Sequence, residues 1–404
     1  EERCAWLDLG PTLRGDGAAR YDDLACAERR AFHAVFWHLA DPLWLVPGNE
    51  RRSEHLARRV WDRLQDDAES GYGVSWGSDL RELLLRYGWP AGWDVAWRRD
   101  PGMRTESAVQ SHREPRAQQH VARAEWVWGA EPLEIERWEL DDERPRSTWA
   151  PPYGALRPLP HQLARFRRGD TLVVVAAFDP PDSLARCPLD AALFLTSATE
   201  VRASAPARPG AGAERRVFRV DTPLPDPGRG ERTLVGLEAR CADWPAAARA
   251  RYDLDPRPED ARLSGLLLLD PAEPLPGTLD AAIPRARGSS AARARDTLAV
   301  YWEWYGSAPA AGPVSVTLSL SREGKSFWRK AVEWIGLADR RDETVGLRWE
   351  ERLEASASGI APRSVTLALP DLPRGRYRLM LEIRPPRGGA ATASRELLIE
   401  DDDR

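Results

Sequence analysis

Between Val314 and Leu320 every second residue is apolar: Val314, Val316, Leu318 and Leu320 alternate with Ser315, Thr317 and Ser319. Successive side chains of an extended strand point to opposite faces, so this run belongs in a sheet with one face covered. The same grammar runs through the last hundred residues. It predicts strands at Leu298–Tyr305, Val314–Leu320, Ala331–Ile335, Val345–Leu353, Ser364–Leu369, Tyr377–Ile383 and Arg395–Ile399, with Pro373-Arg374-Gly375 as a turn. Seven short strands in about 110 residues fit an immunoglobulin-like sandwich, without the Cys…Trp…Cys core of antibody domains. Trp302 and Trp304 share one strand face, with Glu303 on the other, which places that tryptophan pair in the core.

Upstream, further strands are expected at Trp126–Trp128, Thr171–Phe178, Ala191–Thr196, Arg216–Val220, Leu234–Ala239, Arg249–Leu254 and Leu263–Leu269, separated by Gly, Pro, Asp and Ser clusters. Asp170-Thr171-Leu172 and Asp296-Thr297-Leu298 each open an apolar strand, a hint of duplication. Residues 270–294, rich in Pro, Ala, Arg and Gly and stiffened by Pro271, Pro274 and Pro276, read as a linker. The fold class is therefore an α+β N-terminal domain followed by a mainly-β part, with two immunoglobulin-like antiparallel β-sandwich domains. The boundaries are 1–150 for the α+β domain, 151–275 for the first sandwich, 276–292 for the linker and 293–404 for the second sandwich.

In the first domain residues 1–20 read as irregular. Helical spacing of Phe32, Val35, Phe36 and Leu39 predicts a helix over Asp22–Leu39, with Asp22 or Asp23 as N-cap and Asp41-Pro42 as its end. A second helix runs from about Glu50 to Gln65, capped by Asn49, with Leu56, Val60 and Leu64 as its buried stripe. Propensity makes Asp79–Tyr87 a short helix stopped by Gly88 and Pro90. Residues 99–120 read as a mobile polar loop.

Composition excludes some classes. The net charge of −5 is spread along the chain, without the clustered basic face of a nucleic-acid binder. The longest apolar runs are strand-length, well short of the ~20 residues that span a bilayer. The chain opens at Glu1 without an initiator Met, as a processed chain would. Only two lysines occur, Lys325 and Lys330, so nearly all cations are arginines, which suit ion pairs and stacking on tryptophan. Four cysteines lack close CxxC spacing and form two regional pairs. Cys4–Cys26 and Cys187–Cys241 disulfides are expected, hence an oxidising, extracytoplasmic compartment. The alternative is four reduced thiols in a cytosolic protein.

Several patterns invite catalytic readings. Gly73-Val74-Ser75-Trp76-Gly77 matches a G-x-S-x-G elbow, but Asp66–Ser70 before it is no strand and no βαβ alternation surrounds it. The histidines His33, His38, His55, His112, His120 and His161 have no H-E-x-x-H spacing. Asp141-Asp142 and the tail Asp401–Asp403 lack the spacing of a calcium loop. No catalytic residue, metal ligand or cofactor is assigned. Tryptophan is the anomaly, with 18 in the chain. Trp37, Trp44, Trp61, Trp76, Trp89, Trp93 and Trp97 crowd the N-terminal domain. Each packs a core or forms an exposed aromatic platform for a sugar or a partner.

The region 32–90 resembles the bacterial GWxTD-domain family, mostly uncharacterised and usually exported. Phe36-Trp37-His38-Leu39-Ala40-Asp41-Pro42 is similar to its FWxxRDP signature, and Asn49-Glu50 with Arg59-Val60 to the helix that follows. Ser75-Trp76-Gly77-Ser78-Asp79 stands where the family has Gly-Trp-x-Thr-Asp, with serines at Ser75 and Ser78 in place of Gly and Thr. Tyr87-Gly88-Trp89-Pro90 matches YGxP, and Leu369–Ile399 is similar to the closing β-domains. The resemblance implies a strand over Glu82–Tyr87, against helical propensity, and supplies no catalytic residues. The motif residues then read as a structural corner: Trp76 plugging a core, Ser78 or Asp79 capping a turn, and Asp41 pairing with an arginine such as Arg59. The expected function is a non-enzymatic structural or interaction protein of the cell envelope or surface, with protein partners there. A glycan- or peptidoglycan-binding module using exposed tryptophans is the alternative, and a hydrolase of unrecognised type is a third.

Overall fold

The computed structural model describes residues 2–13, 15–68, 76–89, 92–97, 106–111, 121–133, 149–154, 156–206, 214–224, 232–243, 245–255, 260–306, 312–322, 345–354 and 359–401. A helical N-terminal region precedes a chain that is mostly β-sheet. Helices α1 (Glu2–Leu7), α2 (Gly15–Asp22), α3 (Cys26–Ala40), α4 (Glu50–Asp66) and α5 (Ser78–Tyr87) are followed by the hairpin β1 (Gly92–Trp97) and β2 (Glu106–Ser111), then α6 (Ala124–Val127). Strands β3 (Leu156–Pro158), β4 (Gln162–Arg168), β5 (Thr171–Phe178), β6 (Leu189–Thr196), β7 (Val201–Pro206), β8 (Arg216–Pro223), β9 (Leu234–Cys241), β10 (Ala247–Asp253) and β11 (Leu267–Leu269) come next. Helix α7 (Leu279–Ala282) leads to β12 (Ala291–Arg293), β13 (Thr297–Tyr305), β14 (Val314–Arg322), β15 (Val345–Glu351), β16 (Ile360–Ala368), β17 (Gly375–Arg384) and β18 (Ala391–Glu400).

The chain divides into two units. One is Glu1–Leu159, Pro181–Gly212 and Asp226–Leu254; the other is Pro160–Pro180, Ala213–Pro225 and Asp255–Arg404. In the first, a sheet of order β3-β10-β9-β6-β7 carries the helices. Phe32, Phe36 and Leu39 of α3 bury the predicted stripe against Leu9, Tyr21, Trp126 and Leu234. Gly17 of α2 is a packing necessity: a Cβ there would sit 2.5 Å from the Ala124 Cβ of α6. Both disulfides form as expected. Cys4–Cys26 ties α1 to the start of α3, and Cys187–Cys241 ties the approach to β6 to the end of β9, with Cα separations of 6.0 and 5.7 Å.

The second unit has sheets of order β4-β5-β8, β11-β13-β16 and β12-β18-β17-β14-β15. The middle strand β13 is buried on both faces. Leu298, Val300, Trp302 and Trp304 enter a core shared with Val314, Val316, Leu318 and Leu320 of β14 and with β17 and β18. Ala299 and Tyr301 enter a second core with Phe166, Val173 and Val175. Glu303, on that second face and 1% exposed, accepts from both Arg168 terminal nitrogens (2.6 and 2.7 Å), from Tyr301 Oη (2.7 Å) and from Tyr305 Oη (3.2 Å). The Asp-Thr-Leu triplets open β5 and β13, the middle strands of the two three-stranded sheets. The residue before each triplet, Gly169 (φ 58°) or Arg295 (φ 64°), is left-handed, which extends the likeness by one position.

Several expectations are corrected. Trp126–Trp128, expected as a strand, begins inside α6, where Trp128 is the C-cap and Trp126 is 1% exposed. Residues 1–20 are largely helical. The helix expected from Asp22 is two: α2 ends at Asp22 and α3 starts at Cys26, its N-cap Ala25 donating its N–H to Glu28 Oε2 at 2.8 Å. Residues 106–111 of the expected loop form β2. Only Leu267–Leu269 of the expected Leu263–Leu269 strand is a strand. Within 276–292, expected as a linker, Thr278 caps α7, and Leu279, Ala282 and Ala286 pack on β5. Strands β1, β3, β4, β7 and β12 were not anticipated. The Ala331–Ile335 strand lies outside the described residues.

The Glu303 cluster has a measurable consequence. Arg168→Met leaves a buried carboxylate without its cation and is expected to cost about 3 kcal/mol in urea unfolding. Glu303→Gln, which leaves the partly exposed Arg168 free to turn to water, is expected to cost less. Equal losses, or none, would refute this account.

Candidate functional site

The motif residues meet where α3, α4 and the first sheet join. Helix α3 ends at Asp41-Pro42, and its last carbonyls point at β10. Strand alternation puts Arg249 and Arg251 on one face there. Arg251 Nη1 donates to Asp41 O (2.7 Å) and Leu39 O (3.2 Å), and Arg249 Nη1 to Pro42 O (2.5 Å) and Asp41 O (3.2 Å). Cations thus complete a helix C-terminus, the favourable sense of the helix dipole. Arg251 also pairs with Glu238 of β9, both fully buried, and lies 3.6 Å over the Trp44 ring. Trp44 donates to His38 O (3.0 Å) and stacks on the His38 ring. A Cβ at Gly236 of β9 would sit 2.6 Å from Trp44, so glycine makes room for the indole.

Asp41 does not pair with Arg59. Its carboxylate accepts from Leu43 N (3.2 Å), while Arg59 reaches the main-chain oxygen and carboxylate of Asp8. Phe36 packs edge-on to Trp37. Asn49 joins the two helices: its Oδ1 accepts from Arg52 N (2.7 Å) as the N-cap of α4, and its Nδ2 donates to Trp37 O (2.6 Å). Glu50 faces Tyr153 Oη at 3.5 Å.

Helix α4 sits opposite to its expected phase. Its buried residues are Arg51, His55, Arg58 and Asp62. Arg58 Nη1 caps the end of α5 through Leu85 O (3.1 Å) and Arg86 O (3.0 Å). Asp62 accepts from Trp76 Nε1 (2.9 Å) and Arg81 Nε (2.9 Å). Leu56, Val60 and Leu64, expected inside, lie outward: Leu56 is half-buried, and Val60, Trp61 and Leu64 are 49%, 48% and 56% exposed. Apolar and polar stripes share one period, and the polar stripe took the inner face, where Arg58 and Asp62 are hydrogen-bonded while His55 packs on Trp37 with both ring nitrogens buried and without a hydrogen bond.

Glu82–Tyr87 is not a strand. Ser78–Tyr87 is α5, with Leu80, Leu84, Leu85 and Tyr87 buried and left-handed Gly88 (φ 90°) ending it. Gly77 is its N-cap without a side-chain cap, so Ser78 and Asp79 are simply exposed first-turn residues. Trp76 plugs no core. It is half-buried, bound to Asp62 and stacked on Trp89 (6.4 Å), which in turn meets Trp61 (5.3 Å). Ser75 and Pro90 lie outside the described residues, as do the side chains of Trp93 and Trp97.

The titratable groups of the joint are held by burial. Asp41 is pushed up to about 8, chiefly by desolvation, with Glu238 and Glu50 adding to the shift and Arg251 and Arg249 opposing it. Burial depresses His33 to about 4 and His38 to about 3, and puts His55 well below its usual range. Leu9 N donates to Tyr21 Oη (3.0 Å), which is also hydrogen-bonded with His33 Nε2 (2.7 Å). Among the described residues no three His, Cys, Asp or Glu side chains gather as a metal ion requires. Among the described residues no helix is long and apolar enough to cross a membrane.

No protein-family model matches the chain, and no curated protein sequence does. Among solved structures, the transglutaminase of red sea bream aligns over 60% of this chain and 32% of its own, at 13% identity and a TM-score of 0.18. The chain thus spans about a third of that enzyme's length, and a score this low carries no argument about fold or function.

Asp41 makes a pH prediction. An acid with a raised native pKa binds its proton where the unfolded chain has lost it, so its contribution to stability falls as pH rises from 3.8 to about 8. The buried histidines act in the opposite sense, losing stability as pH falls below their ordinary 6.5. Comparing wild type with Asp41→Asn isolates the aspartate. The Asn chain is expected to gain several degrees in melting temperature over wild type between pH 5 and pH 8. Parallel curves would remove this assignment.

Proposed function

We propose that the protein is a non-enzymatic structural or interaction component that works outside the cytoplasm, in the bacterial cell envelope or at its surface, as a divergent member of the GWxTD-domain type. The proposal includes two immunoglobulin-like sandwiches; the extended likeness at β5 and β13 supports a duplicated β-module. Two disulfides support an oxidising compartment.

One observation carries the reading: α4 turns its charged face into the protein and its apolar face out. Three of the most exposed large apolar residues, Val60, Trp61 and Leu64, lie on that one helix. Contiguous exposed apolar surface marks association sites. The tryptophans favour a protein partner over a glycan. Trp61, Trp89 and Trp76 lean on one another rather than lying side by side, so their faces are largely spent on each other and only Trp61 offers a half-exposed ring.

The test is chemical footprinting of Trp61 by N-bromosuccinimide, in native extracellular and envelope fractions and in dilute purified protein. Protection in the native fraction, lost in a Val60→Asp chain of unchanged melting temperature, is expected. Equal reactivity in both settings sinks the interaction reading. Protection restored by cell-wall glycan fragments instead favours the glycan alternative. All four cysteines alkylatable without reductant would sink the compartment assignment.

A further inference from the structure

The outward face of α4 is complementary to itself, and we infer that its partner is a second copy of this chain, joined antiparallel along α4. This rests on the interaction reading above and gives it an occupant. The outer stripe is Ser53, Ala57, Val60, Leu64 and Asp67, spaced four, three, four and three as in a coiled-coil seam, with Ala57, Val60 and Leu64 as its apolar centre and the polar Ser53 and Asp67 at its ends. All five are exposed, and the residues bound into the protein, Arg51, His55, Arg58 and Asp62, lie on the opposite side.

The seam is small at one end and large at the other. Ser53 and Ala57 occupy the N-terminal half, Val60 and Leu64 the C-terminal half. Turned end for end, a second copy sets its small residues against large ones: Leu64 faces Ser53 of the second copy, and Val60 faces its Ala57. A parallel pairing would set small against small and leave a void.

The charges obey the same symmetry. Arg52 stands exposed in the first turn and Asp67 exposed at the C-cap, and neither has an ion-pair partner among the described residues. Each opposes the dipole of its own helix, which disfavours a cation at the N-terminus and an anion at the C-terminus. Antiparallel pairing reverses both penalties. The Leu64–Ser53 register sets Arg52 opposite Gln65 and Asp67 opposite Glu50 of the second copy, so Arg52 lies two residues, about 3 Å along the helix, from Asp67 and the carbonyl end, within the reach of its side chain, and from there it offsets the Glu50–Asp67 repulsion. On the same flank Arg59 is held by Asp8, and Arg81 of α5 holds Asp66, which leaves Arg52, Arg63 and Asp67 as the exposed charges of that flank without an ion pair among the described residues. At 1.5 Å per residue the 17-residue helix is about 25 Å long, which makes a small interface and a dissociation constant on the order of micromolar.

Sedimentation equilibrium of the full chain from about 1 to 200 µM, a span chosen to bracket a micromolar constant, tests this. Wild type is expected to rise from 45.2 kDa toward twice that mass. Val60→Asp and Leu64→Asp are expected to stay at the monomer mass with unchanged melting temperature, because both side chains are exposed. Arg52→Asp and Asp67→Arg are each expected to weaken the dimer at least tenfold, and an equimolar mixture of the two to associate again, since each copy then supplies the charge the other lacks. Wild type at 45.2 kDa at every concentration overturns the inference, as does a dimer that survives Val60→Asp or a mixture that fails to associate. If wild type is monomeric while Trp61 is still protected in the native fraction, self-association fails and the interaction reading stands. If both fail, the outward face of α4 has no protein occupant.

Discussion

The helical region and the first sheet are joined by two guanidinium groups buried against the end of a helix. Arg249 and Arg251 take four acceptor contacts from the carbonyls of Leu39, Asp41 and Pro42, while Glu238 and Trp44 hold Arg251 from the side. Burying these ions costs several kcal/mol each, so the cluster is a poor source of net stability. It specifies position. A carbonyl terminus accepts a cation only from a narrow set of directions, and two arginines two residues apart on one strand fix both the height and the rotation of α3 over the sheet. The same burial pushes Asp41 toward its protonated form, and desolvation raises Glu50 beside it as well.

The course of α4 follows from that placement. Asn49 bonds Trp37 O at the end of α3 and the first turn of α4, so the rotation of one helix sets the start of the other. From there Arg58 reaches the carbonyl end of α5, and Asp62 collects Trp76 and Arg81. These bonds are directional and dry. The apolar stripe can be satisfied by any nonpolar neighbour, so it yields the inner face to groups that need exact partners. What the corner motif positions is therefore the outside of α4, with Trp76 and Trp89 buttressing Trp61.

How much of this was legible depends on what periodicity encodes. Strands β5, β6, β8, β9, β10, β13, β14, β16, β17 and β18 were readable because apolar alternation or an apolar run is written along each. The disulfide pairing was readable because the cysteines cluster regionally. Period gives phase but not sign: it finds two stripes on α4 without saying that Arg51, His55, Arg58 and Asp62 are the inner one. Strand β4 carried a signal that passed unused, Ala164 and Phe166 alternating with Arg165 and Arg167 and burying their face. At Glu82–Tyr87 the family resemblance overrode a sound local signal; Leu80, Leu84 and Tyr87 have helical spacing, and the helix is there. The strand over Arg249–Leu254 was readable, but nothing local marks Arg249 and Arg251 as buried, since their acceptors lie some 200 residues away in sequence.

These assignments bear on where chemistry and recognition can reside. At the joint, burial drives Asp41 and the histidines toward their neutral forms, and hydrogen bonds direct Tyr21 at His33 and Asp41 at Leu43 N. Groups so held serve geometry: moving a proton among them would break the contacts that orient α3 and α4. The outer face of α4 is the reverse case. Apart from Trp61, which packs on Trp89, its apolar side chains carry no structural contact among those described, so substitutions of Val60 and Leu64 are nearly free for folding, yet the stripe keeps Val60, Trp61 and Leu64 on a surface where polar residues would dissolve better. A stripe that folding does not require, flanked by charges that its own helix disfavours, is the feature on which the proposed partner surface rests.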